Sequence, residues 1–152
     1  LVPAPAQRPD LVVGHIRELA AKAVVTVDDW PQRAVAAARA VLAFFAAEPD
    51  LARLCLVEPQ AAGPAVSARF HEAVHEVVPY LEQGRAERQS ERKLPPTTEE
   101  STIGALVMLA SRKVAAGEAS QLEDLLPDFT EFILSPYLGA EEAARLARSQ
   151  AD

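Results

Sequence analysis

Apolar residues recur along this chain at intervals of three and four, the spacing that gathers them on one side of an α-helix. Leu11, Val12, Ile16, Leu19 and Ala23, with His15 among them, set the first stripe, and Asp10 stands before it as a candidate N-cap. Asp28 and Asp29 offer the next cap, and Pro31 suits a first helical turn, where no amide is needed. Val35, Ala38, Val41, Leu42 and Phe45 continue that helix until Glu48-Pro49-Asp50 interrupts it. A short helix with Leu51, Leu54 and Cys55 on one side follows and ends before Pro59. After a turn over 61–64, Val66, Phe70, Val74, Val77 and Leu81 share a face. Pro79 is expected to kink or end that helix, because its ring displaces a hydrogen bond.

Periodicity then lapses from Gly84 to Pro96, where Arg85, Glu87, Arg88, Glu91, Arg92 and Lys93 crowd together. That stretch is expected to be an exposed, mobile connection; pocket gating is the alternative. Thr97 with Glu100, and Ser120 with Glu123, have the spacing of capping boxes. Behind the first run Ile103, Leu106, Val107, Ala110 and Val114, closed by Gly117 with Arg112 and Lys113 near the end. Behind the second run Leu122, Leu125, Leu126, Phe129, Phe132 and Ile133, with Pro127 as a splitting point and Pro136 as the stop. An alanine-rich helix over 140–149 closes the chain. No segment alternates as a strand, and no repeat or glycine-rich phosphate loop stands out. The expected fold is all-α, about seven helices: a flexible lead-in over 1–9 and one helical domain over 10–152.

Composition agrees. Apolar residues make up 49% of the chain and aromatics 5%, with alanine and leucine, strong helix formers, supplying much of the apolar count. Net charge is −7 with no dense basic stripe, so these residues are not expected to bind nucleic acid themselves. The lone Cys55 permits no internal disulfide and is expected to be a buried small hydrophobe in a reducing, cytoplasmic setting. No apolar run reaches the ~18 residues of a membrane span. The chain opens on Leu1 and not on methionine, which suggests a segment missing upstream.

The sharpest local motif is His71-Glu72-Ala73-Val74-His75. Histidines at i and i+4 share a helix face and can reach one zinc ion, with the glutamate as general base. The longer zincin form needs Gly and His further on, where Val78 and Leu81 stand. The candidates for a third, carboxylate ligand beyond the second histidine, Glu99 and Glu100, fall in a capping turn, and no sheet accompanies the helix. The motif is therefore read as two partly exposed histidines at the border of a buried face. A zinc hydrolase is the alternative; the expectation is no enzyme, no metal and no cofactor. Phe44, Phe45, Phe70, Phe129 and Phe132 are read as core first and pocket lining second. Trp30 is read as a helix-opening staple or a shield over a pocket, and Tyr80 and Tyr137 as rim residues facing water. Met108 is read as core filler, with a pocket wall or dimer contact as alternatives.

Several segments together resemble one family. Asp29-Trp30-Pro31 opens a helix that closes on Leu42-Ala43-Phe44-Phe45-Ala46-Ala47-Glu48-Pro49. Leu51-Ala52-Arg53-Leu54-Cys55-Leu56-Val57-Glu58 and Ala61-Ala62-Gly63-Pro64 follow. The tail runs from Val114-Ala115-Ala116-Gly117-Glu118 through Leu125-Leu126-Pro127-Asp128 to Ser135-Pro136-Tyr137-Leu138-Gly139. This texture is similar to the C-terminal body of actinobacterial-type TetR-family transcriptional repressors. The resemblance implies a homodimer closed by a four-helix interface, drawn from 98–116 and 122–134, with Met108, Arg112, Phe129, Phe132 and Ile133 as contacts. It implies a small apolar effector in a pocket lined by Val41, Phe45, Phe70, His71, Val74, Leu106 and Ala110. It implies operator DNA as a partner only through a helix-turn-helix head, which these residues do not contain; 10–27 looks like the helix that follows such a head. Membrane is not an expected partner, and a ligand-free dimerisation domain is a further alternative.

Overall fold

The computed structural model describes residues 9–88 and 90–151, and among them the only regular structure is helical. Its helices are α1 (Pro9–Val24), α2 (Trp30–Ala47), α3 (Pro49–Leu56), α4 (Glu58–Ala61), α5 (Pro64–His75), α6 (Val78–Glu82), α7 (Thr98–Ala115), α8 (Leu126–Leu138) and α9 (Ala140–Arg148). Short 3-10 turns occupy Gln83–Glu87 and Ala119–Leu125. Setting aside the one-turn pieces α4 and α6, seven helices remain, so the all-α expectation of about seven helices holds. The expected lead-in lies outside the described residues apart from Pro9, which already belongs to α1, so Asp10 is not its cap.

Local chemistry explains most boundaries. The Asp29 carboxylate accepts from the Gln32 amide at the start of α2, and Pro31 fills the first turn. Pro79 takes the first turn of α6, and α5 ends ahead of it at His75. At the end of α7, Gly117 adopts φ +80°, the left-handed region open to glycine. Its amide donates to Val114 O and that of Glu118 to Lys113 O, both at 3.0 Å, which is the Schellman closure. Three expectations need correction. Thr97 and Ser120 make no side-chain cap: Thr98 Oγ1 instead donates to Pro95 O, and Ser120 lies inside a 3-10 turn. Pro136 does not stop α8 but sits in its last turn, where its ring removes one hydrogen bond while buried Tyr137 carries the helix on to Leu138.

The core forms around α2 and α8. Helix α1 packs on α2, α9 on α8, and α3 on α7. Leu42, Phe45, Ile103, Leu122, Leu126, Phe129, Ile133 and Leu134 are buried together. Cys55 is buried as expected, and burial pushes its thiol up to about 11, leaving no reactive thiolate. Ser111, buried on α7, donates to Leu56 O at 2.8 Å and satisfies a carbonyl orphaned at the end of α3.

Candidate functional site

Helix α5 carries the histidine motif, and it is the most exposed of the long helices. None of its residues is buried; Phe70 and Val74 are half-buried against the core and Val66 is exposed. His71 and His75 are exposed rather than at the edge of a buried face. The His71 ring is nevertheless oriented. Its Nδ1 lies 2.6 Å from the Ser67 carbonyl, one turn back, and its ring meets Phe70 edge-on with centroids 6.0 Å apart. An ion pair between Arg17 of α1 and Glu76 holds the end of α5. Among the described residues no group of three His, Cys, Asp or Glu side chains is assembled for a metal ion.

The residues expected to line a pocket divide into two sets. Phe45 and Ala110 belong to the closed core, while Val41, Phe70, Val74 and Leu106 are half-buried against it and His71 faces solvent. Two clefts are present elsewhere. One, of about 490 Å³, runs along the start of α9 past Glu141, Glu142 and Arg145. The other, of about 270 Å³, lies between Arg39, Glu123, Asp124 and Gln150. Neither is lined by any of the expected pocket residues.

The residues expected at a dimer interface also divide. Phe129 and Ile133 are buried in the chain's own core. Met108 and Phe132 are 62% and 52% exposed, and Arg112 is exposed with them. Met108 is therefore not core filler. The two helices run antiparallel: Tyr137 near the end of α8 donates to Glu99 in the first turn of α7.

Sequence reasoning missed the most strongly determined polar cluster. Glu99 is 1% exposed, yet its carboxylate is well partnered. Arg85 grips it with a fork, Nε to Oε1 and Nη2 to Oε2, each at 2.8 Å, and the Tyr137 hydroxyl donates to Oε1 at 2.9 Å. Burial alone would raise the Glu99 carboxyl; hydrogen bonds from Arg85, from its own backbone amide and from Tyr137 together outweigh it and hold the group below the ordinary carboxylate range. Burial and the Glu99 contact push the Tyr137 hydroxyl the other way, well above its ordinary value. Arg85 also donates to Pro95 O at 2.9 Å, so one side chain ties together both ends of the 85–95 loop.

Trp30 completes this joint. It is buried, it packs edge-on against Tyr137 with centroids 5.0 Å apart, and its Nε1 donates to Tyr80 O at 3.0 Å. Gly84 packs directly against the indole ring: a Cβ there would stand 2.4 Å from Trp30 Cη2. Trp30 is thus neither staple nor pocket shield, and Tyr137 does not face water. The segment expected to be mobile is pinned at Gly84 and Arg85, and exposed from Ser90 to Lys93. One signal was available: Glu99 stands four, seven and eleven residues before Ile103, Leu106 and Ala110, in phase with the apolar stripe of α7. A charge in that phase requires a buried partner.

No family model, no curated protein and no solved structure matches this chain.

Proposed function

We propose that the chain is the effector-binding and dimerisation body of a TetR-like transcriptional repressor. The observation that carries the reading is the exposure of Met108 and Phe132. They are large apolar side chains on the outward faces of α7 and α8, the two helices that the family uses to pair with a twin. On α7 the same face carries Ser101, Gly104, Ala105 and Ala115, all exposed and small enough to let a second helix approach closely. Phe129 and Ile133, buried within the chain, support the interface from behind. A two-fold dimer of this kind matches a palindromic operator, which a helix-turn-helix head outside these residues would contact.

The effector in this reading is a small apolar molecule. It is received where Val41, Phe70, Val74 and Leu106 are half-buried, with α5 as the element that moves to admit it. Such a ligand acts by binding one helix arrangement better than the other, and that difference is transmitted through α7 and α8 to the spacing of the heads. No helix among the described residues is long and apolar enough to cross a membrane.

Sedimentation over a concentration series tests the reading. The wild-type chain is expected at twice its 16.3 kDa mass. The Met108→Glu, Phe132→Glu double variant is expected to be a helical monomer, because like charges would then face each other across the two-fold axis. A wild-type chain that stays monomeric at high concentration rules the repressor body out. A dimer whose melting temperature is unmoved by any of a broad panel of apolar ligands leaves dimerisation alone.

A further inference from the structure

We propose that His71 and His75 form a two-point chelate for a divalent transition-metal ion on the outer face of α5, distinct from any effector pocket. Both residues lie in the helix, at i and i+4, so their side chains leave the same face one turn apart. Both are exposed, so an ion can reach them and keep water in its remaining coordination positions.

The orientation of His71 is the second, independent observation. A carbonyl oxygen can only accept, so the contact of 2.6 Å between Nδ1 and Ser67 O places the ring proton on Nδ1. The neutral ring then presents the lone pair of Nε2 outward. A backbone carbonyl that fixes the tautomer through the far nitrogen is the usual second partner of a metal-binding histidine. The edge contact with Phe70 holds the same ring from the side. This preorganisation exists before any metal arrives.

The chemistry of the donors selects the ion. Two imidazoles without a carboxylate suit zinc, nickel or copper, and not calcium or magnesium, which take oxygen ligands. Glu72 is one residue from His71 and so a quarter turn round the helix, off the line that joins the two rings. Among the described residues no third protein ligand is assembled there, so the bound ion would keep water in its open coordination positions.

Titration calorimetry of metal-free protein with zinc chloride tests this, with calcium chloride as the control. One zinc per chain is expected, and no heat from calcium. His71→Ala and His75→Ala should each weaken zinc binding by at least about tenfold, the lower bound for losing even an outer-shell partner. Glu72→Gln and His15→Ala should leave it unchanged. All four positions are exposed, so the variants should fold, which far-UV circular dichroism checks. Because the chelate requires the helix, zinc should also slow amide exchange in α5 of the wild type and not of His75→Ala. Absence of zinc binding, binding indifferent to either histidine, or an equal loss in Glu72→Gln overturns the proposal.

Discussion

Helix α5 and the joint beneath α7 are both built from polar and aromatic residues, yet the chain holds them in opposite ways. The joint gathers Trp30, Gly84, Arg85, Glu99 and Tyr137 from four separate stretches of sequence. In it every charged atom of Glu99 has a partner and the carboxylate is shut away from water. Helix α5 carries the conspicuous motif, with no buried residue and two half-buried ones as its apolar hold on the core. Buried polar groups bind a fold together only when fully satisfied, and exposed ones are free to meet other molecules. By that criterion the inconspicuous cluster is structural, and the conspicuous one is available for binding.

Removing the centre of the joint should produce the largest effect. Trp30→Ala deletes a buried indole, its edge contact with Tyr137 and its hydrogen bond to Tyr80 O. The expected loss is about 3–5 kcal/mol, the range for large aromatic truncations in cores. Urea unfolding followed by far-UV circular dichroism measures it, since the only tryptophan is the one removed. A loss near the surface-mutation level would mean that Trp30 does not hold the joint, and the contrast with α5 would collapse.

Arg85→Ala should come next. It leaves the Glu99 carboxylate buried with Tyr137 as its one remaining side-chain partner. Breaking a fully buried pair costs about 3–5 kcal/mol. Arg85 is itself 35% exposed and water can replace part of it, so the expected loss is smaller than that and smaller than the loss in Trp30→Ala. The sign with pH is specific. In the wild type the Glu99 carboxyl is held below its ordinary value, so the unfolded chain takes up the proton first as pH falls. That stabilisation is complete above about 4.3, the unfolded carboxylate value, and is lost as pH drops through it toward the folded one. Without Arg85, burial dominates and the carboxyl protonates earlier, which relieves the variant. The gap between wild type and Arg85→Ala should therefore narrow from pH 7 to pH 4. A gap that stays constant would show that the ion pair is not what Arg85 contributes.

The contrast also explains what could be recovered from the sequence. Helices with a single continuous stripe were legible, because burial follows a 3.6-residue period whatever the topology; α2 and α7 are examples. Gly117 was legible because its role is local. The joint was not, since Arg85 and Glu99 meet across a loop, and Trp30 and Tyr137 across most of the chain. The capping boxes failed for a related reason. Thr97 and Glu100 have the right spacing, but ahead of α7 Thr98 grips Pro95 O three residues back, and Arg85 reaches the same oxygen from across the loop, a contact that no local pattern encodes. His71 and His75 were found at once because i and i+4 is a local relation. Their exposure, and that of Met108 and Phe132, depends on which faces the other helices leave uncovered.

The smallest expected effect belongs to α5 itself. Phe70→Ala removes the larger of its two half-buried apolar contacts, so the loss in global stability should be about 1–2 kcal/mol, below the about 3–5 of a fully buried phenylalanine. Local behaviour should change more than that figure suggests. An element with few buried contacts opens at a lower free energy than the whole fold, and its amides exchange through that local opening. In the wild type, α5 should exchange faster than the buried faces of α7 and α8, and Phe70→Ala should accelerate α5 alone. Hydrogen exchange read by mass spectrometry on peptides spanning 64–75 and 98–115 separates the cases. If α5 and α7 exchange together, only through global unfolding, α5 is as firmly held as the joint, and it is not the element that yields to an effector.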